Sequence, residues 1–267
     1  MIAGFQTDAG MPESRPLKQW RLALFWAAFG AFSAVAVVPY AFALNPSVQA
    51  AIPVPLPIFL AIQWGQTALM LFLLSWLGLH LGQSLGLDSP WARALLTKKS
   101  LESFPKESLG VAIIVGAAVA CLLLLLDLGF QSLMPPTAQA IVPSVDLWKR
   151  LLACFYGGLA EELLLRLGLM TLILWLVWKA ARQTQRPPTA PMFWLAIVLA
   201  ALLFGVGHLP AAASVWPLTT VVVARVLLLN ALGGIAFGYL YWRRGLEHAM
   251  LAHFAADIVL HVVGNNA

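Results

Sequence analysis

Long apolar runs separated by short polar connections make up most of this chain. A membrane-spanning helix needs about 20 apolar residues. Seven runs are long enough, at about 20–44, 55–82, 108–134, 145–178, 191–209, 216–242 and 246–263. The fourth run predicts one long helix, with Gly157-Gly158 as its bend point. None of these runs shows the ten-residue alternation that is typical of a membrane β-barrel. The pattern therefore predicts an all-α fold, a polytopic membrane helical bundle with about seven transmembrane helices.

The composition supports this prediction. The chain has 267 residues, of which 61% are hydrophobic and 10% are charged, and its mean hydropathy is +0.86. A soluble domain carries about 25% charged residues, so lipid rather than water must surround most of the apolar surface. The length fits one bundle and leaves no room for a sizeable soluble domain.

The basic residues predict how the chain is oriented in the membrane. The net charge is +5, and Lys and Arg cluster in alternate connections: Arg15, Lys18 and Arg21; Arg93, Lys98, Lys99 and Lys106; Lys179, Arg182 and Arg186; Arg243 and Arg244. Such loops stay cytoplasmic. We therefore expect a cytoplasmic N-terminus, a location in a prokaryotic inner (plasma) membrane surrounded by lipid, and no nucleic-acid partner.

Several ionisable residues interrupt the apolar runs. A charged side chain at mid-bilayer costs about 2.5–3.5 kcal/mol, so such residues are usually paired or functional. Three runs carry the candidates: Glu161, Glu162 and Arg166 in the fourth, His208 in the fifth, and His253 with Asp257 in the seventh. Glu162 and Arg166 are four residues apart and share a helix face. We expect them to pair, which leaves Glu161 without a partner on its own helix.

The two histidine motifs also have helical spacing. Phe204 lies one turn before His208, and His253 and Asp257 are four residues apart, so both of the latter side chains reach one point. Taken singly, each cluster is typical of a structural hydrogen bond or ion pair. Taken together, two histidines and an unpaired glutamate are the parts of a hydrolytic site.

Two further ionisable residues have a simpler interpretation. Arg225 interrupts the sixth run, together with Asn230, and Asp127 lies near the end of the third run. A buried charge in a membrane usually pairs with another charge. We expect a structural Arg225–Asp127 ion pair or an interhelical hydrogen bond, rather than a catalytic role.

The order of these motifs resembles the CPBP family, the CAAX-protease and bacteriocin-processing intramembrane proteases. The resemblance covers residues 145–263 and rests on Glu161-Glu162-x-x-x-Arg166, Phe204-x-x-x-His208 and His253-x-x-x-Asp257. The last position is Asp where Asn is common in the family. The resemblance implies two parts: residues 1–144, a cytoplasmic tail with three transmembrane helices, and residues 145–267, a four-helix CPBP-like catalytic core.

The family implies hydrolysis of a peptide bond in a membrane-associated protein or peptide. On this reading Glu161 is the general base, and His208 holds the same water molecule. His253 and Asp257 face the scissile carbonyl, with His253 donating to the oxyanion. This mechanism needs no cofactor, and we expect it rather than a metal-dependent one.

Other functions are left open by the sequence. Glu161, His208 and His253 could supply three zinc ligands, with water in the fourth position. In the metal-free mechanism, Arg166 would hold Glu162 and keep this second carboxylate from competing for the site proton. A non-enzymatic immunity or scaffold protein of the same fold and an ion-coupled transporter are the remaining alternatives. The complete set of motif residues disfavours the first, and the lack of inverted repeats disfavours the second.

Overall fold

The computed structural model describes residues 17–99, 107–137, 144–182 and 186–263, and every regular element in these ranges is helical. The predicted N-terminal tail up to residue 16 lies outside them. The elements are α1 (Gln19–Ala36), α2 (Val38–Leu44), α3 (Pro46–Ala50), α4 (Leu56–Leu85), α5 (Pro90–Leu96), α6 (Glu107–Gln131), α7 (Leu147–Phe155), the π-helical segments π1 (Tyr156–Glu161) and π2 (Leu163–Met170), α8 (Thr171–Ala180), α9 (Ala190–Ala213), α10 (Thr220–Arg244) and α11 (Leu246–Val263).

Six helical stretches in the described part of the chain are long and apolar enough to cross a membrane. They are Gln19–Leu44, Leu56–Leu85, Ser108–Gln131, Leu147–Ala180, Ala190–Ala213 and Thr220–Arg244. They correspond to the first six predicted runs. The seventh run forms α11, an 18-residue helix that is not one of these six and that packs against α6 and α10. The predicted class, a polytopic helical membrane bundle, is confirmed.

Small residues allow the helices to approach each other closely, as is common in membrane proteins. A Cβ atom at Gly116 of α6 would overlap the backbone of Ala252 in α11. A Cβ at Gly234 of α10 would be 2.7 Å from the Cβ of Ala201 in α9. The first contact places α11 against α6, and the second places α9 against α10. Because α10 also packs against α11, the two histidine-bearing helices lie on the same part of the bundle.

The outside of the bundle is apolar. Large side chains such as Leu69, Ile114 and Leu125 are 61%, 69% and 67% exposed. A water-soluble protein rarely exposes a continuous surface of this kind. The outer faces of α4 and α6 are therefore suited to contact with lipid.

Polar contacts fix the start of α11. The Leu246 backbone N–H donates to the Asp88 carbonyl at 3.2 Å. The Glu247 carboxylate accepts from the Ser89 hydroxyl at 2.6 Å and from the Ala92 backbone N–H at 2.8 Å. Because these contacts tie α11 to the connection before α5, the helix enters the bundle with a defined rotation.

Candidate active site

The segment that carries both adjacent glutamates is π-helical. Residues Tyr156–Glu161 and Leu163–Met170 form two π-helical stretches inside the fourth span, which the sequence predicts only as one long helix with a bend at Gly157-Gly158. π-Helical turns are rare and are frequent at functional sites. A Cβ at Gly157 would collide with the Asp257 carboxylate. The glycine therefore lets α11 lie directly against π1.

Glu162 is a fully buried carboxylate with two partners. Its Oε1 atom lies 2.9 Å from Nη1 of Arg166, as the four-residue spacing predicts. The same oxygen is 2.6 Å from Nδ1 of His253, on α11. The side chain of Arg166 is 3% exposed; its Nη2 donates to the Gly234 carbonyl at 3.3 Å. The pair therefore also holds His253, which is a contact that the sequence does not indicate.

Glu161 has a different environment. Its side chain is 19% exposed, and its two carboxylate oxygens face the two histidines. Oε1 is 3.9 Å from Nε2 of His208, and Oε2 is 3.8 Å from Nε2 of His253. These separations exceed direct hydrogen-bond distances. The three groups therefore surround a common space without bonding to one another.

Both imidazoles present the same nitrogen to this space. Nδ1 of His208 is 2.9 Å from the Phe204 carbonyl, which can only accept, so Nδ1 is the donor. Nδ1 of His253 is held by the Glu162 carboxylate. The Nε2 atoms are therefore free to contact a ligand beside Glu161. Aromatic rings fix both orientations, because Phe204 packs edge-on against His208 and Phe237 stacks on His253 at 4.7 Å.

Asp257 lies beside His253 but is not its hydrogen-bond partner. Asp257 Oδ1 is 3.6 Å from Nε2 of His253. The four-residue spacing brings this carboxylate to the imidazole as predicted, but Glu162 is the residue that holds Nδ1, from the other side of the ring. Asp257 instead adds a second carboxyl group, besides Glu161, to the Nε2 side of His253.

Two cavities meet at Glu161 and His208. The larger is about 520 Å³ and also contains His253, Asp257 and Arg225 in its wall. The smaller is about 380 Å³ and is bounded by α4, π1 and α9. Cavities of this size accommodate part of a peptide or a small molecule. The reacting groups of a hydrolytic site would therefore be accessible from two sides.

The zinc alternative has a direct geometric test. Zinc binds nitrogen and oxygen ligands at about 2.0–2.2 Å. Across residues 17–99, 107–137, 144–182 and 186–263, no three His, Cys, Asp or Glu side chains form a group that could hold a metal ion. Glu161, His208 and His253 would have to move closer together to do so. Zinc binding stays the alternative to the predicted metal-free mechanism, and chelation can test it.

The predicted Arg225–Asp127 pair is present, with Nε of Arg225 2.5 Å from Oδ1 of Asp127. The pair shares a cavity with Glu161, which the sequence does not indicate. An arginine within an apolar span gives no sign of which neighbour it faces.

The fold and these contacts define a polytopic helical membrane protein with a buried site of carboxylates and histidines. Residues 143–259 match the family described as Type II CAAX prenyl endopeptidase Rce1-like. This match covers the part of the chain that carries the three motifs, and it supports the CAAX-protease and bacteriocin-processing family of membrane proteases. No curated protein and no solved structure matches the chain.

Proposed function

We propose that this protein is an intramembrane endopeptidase that hydrolyses a peptide bond near the C-terminus of a prenylated, membrane-associated protein or peptide. The observation that carries the proposal is the Glu161 carboxylate between the two Nε2 atoms of His208 and His253, at 3.9 and 3.8 Å. The substrate class comes from the matched family, which is described as a CAAX prenyl endopeptidase.

The separations suit a water molecule shared by Glu161 and His208, since a water about 2.8 Å from each atom fits between groups 3.9 Å apart. Glu161 takes a proton from this water while the oxygen attacks the scissile carbonyl carbon. The proton then goes to the leaving nitrogen as the C–N bond breaks, which yields a carboxylate and an amine. General acid–base catalysis of this kind contributes about 10²- to 10⁴-fold.

His253 is positioned to stabilise the oxyanion. With Nδ1 bound to Glu162, its Nε2 can carry a proton toward the developing negative charge. Asp257, 3.6 Å from Nε2, favours this protonated form by its charge. Arg166 holds Glu162 in place, so that the second glutamate orients His253 and does not act as a base.

The test is cleavage of a farnesylated peptide, with three residues after its modified cysteine, by purified protein in detergent. We expect Glu161→Gln to lower kcat about a hundredfold or more. Asp146→Asn makes the matched carboxylate-to-amide change just before the same span, at an exposed side chain whose partner among the described residues is Lys149. This variant should keep its activity. Cleavage that survives Glu161→Gln would contradict the assignment of the base.

The same assay with a chelator added distinguishes the metal-free mechanism from the zinc-dependent one. Metal-free glutamate catalysis predicts that activity is unchanged after treatment with a strong chelator. Loss of activity, restored by stoichiometric zinc, would favour the alternative in which Glu161, His208 and His253 bind the ion. In that case the ion would activate the water, and the three side chains would serve as its ligands.

A further inference from the structure

The Arg225–Asp127 pair lies in the wall of the larger cavity rather than in a sealed helix interface. The two side chains remain 20% and 27% exposed, and both line the space that also contains Glu161. The Arg225 guanidinium carbon is 5.3 Å from the centre of the Trp216 ring. This cation–π contact orients the plane of the guanidinium. A purely structural pair would not need to face this cavity.

Arg225 has unused hydrogen-bonding capacity. A guanidinium has five N–H donors, and the Asp127 carboxylate engages Nε. Within the described residues, Nη1 and Nη2 have no hydrogen-bond partner in the protein, and neither is sealed from the cavity. The paired N–H groups of a guanidinium match the two oxygens of a carboxylate.

One face of α10 connects Arg225 to the reacting groups. Arg225, Leu229, Gly233 and Phe237 all line the cavity, and the Phe237 ring stacks on His253. Twelve residues of α-helix separate Arg225 from Phe237, which is about 18 Å at 1.5 Å per residue. An extended peptide covers this distance with about five residues.

The charges of the cavity are distributed unevenly. Glu161 and Asp257 lie at the end near His253, and they repel an anionic group. Arg225 is the one Lys or Arg among the described residues of the cavity wall, and the Asp127 carboxylate at the same end offsets its charge. Repulsion of an anion is therefore weakest at the Arg225 end, where the unused N–H groups of the guanidinium can bind a negatively charged part of a ligand.

We propose that Arg225 is a specificity-determining residue that binds a carboxylate of the substrate, at most about five residues from the scissile bond. Asp127 and Trp216 hold the guanidinium in place for this contact. The carboxylate is either the free C-terminus or an acidic side chain of the peptide. The inference rests on the proposed function, because it names the substrate group that the same cavity recognises.

The test compares three farnesylated peptides that differ only at the last residue. The first ends in a free carboxylate, and the second ends in a carboxamide. The third ends in a glutamate whose C-terminus is also a carboxamide. We expect the KM of the wild type to be about tenfold lower for the free acid than for the plain amide, as for a charge-assisted hydrogen-bonded pair. The third peptide identifies which carboxylate is bound. If its KM is as low as that of the free acid, an acidic side chain is sufficient.

Three variants separate recognition from structural support. Arg225→Gln should remove the preference for the acid, chiefly by raising the KM for that peptide. Asp127→Asn keeps an oxygen that can accept from Nε of Arg225 but removes the charge that offsets the guanidinium, so the preference should be kept or increased. Arg243→Gln is the matched control, because Arg243 is on the same helix and lies 5.4 Å from a tryptophan ring but is outside this cavity. It should leave the preference as in the wild type.

Two results would overturn the inference while the proposed function stands. One is equal KM for acid and amide in the wild type. The other is an equal loss of cleavage of all peptides in Arg225→Gln and Asp127→Asn, together with lower thermal midpoints, which would show a structural pair. If the wild type cleaves no peptide, the proposed function fails. Fluorescence anisotropy then measures binding of the same peptides, and the inference stands only if Arg225-dependent preference for the acid remains.

Discussion

Glu161 and Glu162 are adjacent carboxylates in different surroundings. Glu162 is fully buried and contacts both Arg166 and His253, whereas Glu161 is 19% exposed and lies 3.8 Å or more from its nearest ionisable neighbours. Removing one partner of a buried ion pair costs about 3–5 kcal/mol, because the remaining charge stays buried. A cavity-lining carboxylate with no direct partner carries no comparable penalty.

The two glutamates should therefore respond differently to the same substitution. We expect Glu162→Gln to lower both activity and thermal stability, the latter by about 3 kcal/mol, because Arg166 loses its counter-charge. Glu161→Gln should lower kcat about a hundredfold or more, with little change in the unfolding midpoint. Thermal unfolding in detergent, followed beside the cleavage assay, measures both. Equal midpoints for the two variants would contradict the division of roles.

At this scale the sequence predicts contacts within one helix better than contacts between helices. The four-residue spacing correctly indicates the Glu162–Arg166 pair and the neighbouring positions of Phe204 and His208. The hydrogen bond between Glu162 and His253 joins residues 91 apart. It depends on how α11 is rotated about its own axis relative to π1. A single sequence does not specify which faces of two helices meet.

The close approach of π1 and α11 is the main feature at the scale of elements. Gly157 faces Asp257 and His253, and Gly158 faces Phe254, so both glycines lie under the helix that carries the second histidine. The sequence predicts this span as a single helix with a bend. It does not predict the π-helical turns, because residues 145–178 are apolar almost throughout and show no clear period.

A methyl group at Gly157 should separate the two elements. The added Cβ would overlap the Asp257 carboxylate and approach Nε2 of His253. Misplacement of catalytic groups by about 1 Å can cost about a hundredfold in rate, and we expect a loss of this order for Gly157→Ala. The cleavage assay provides the measurement.

Gly110→Ala is the matched control for this substitution. Gly110 is also in a membrane helix, and a Cβ there meets nothing within 4 Å. Its activity should stay close to that of the wild type. If Gly157→Ala were equally active, the contact between π1 and α11 would not position the site.

At the scale of the whole molecule, the packing crosses the predicted boundary between residues 1–144 and 145–267. Gly78 of α4 lies against the backbone of Leu167 in π2, and Gly116 of α6 lies against Ala252 in α11. The division into an N-terminal part and a catalytic core stays a prediction from sequence. In the structure, α4 and α6 form walls of the region that contains the site.

The orientation in the membrane is a prediction for the entire chain. The connection at residues 45–55 has no Lys or Arg, whereas Lys179, Arg182 and Arg186 surround the connection before α9. By the positive-inside rule, a cysteine at Ala51 should react with an impermeant maleimide in intact cells. A cysteine at Pro187 should react only after the cells are opened. The background should carry Cys121→Ser, because Cys121 is exposed and Cys154 is buried; the reverse labelling pattern would contradict the predicted orientation.

The position of Glu161 and His208 in the walls of both cavities has a consequence for inhibition. A compound shaped for the space between α4 and α9 could reach the Glu161 carboxylate without entering the larger cavity, which is the space that we propose for the peptide. Such a compound would reduce the maximal velocity and leave the apparent affinity for the peptide unchanged. A peptide mimic in the larger space would compete directly, and the two kinds of molecule could be joined into one bivalent inhibitor.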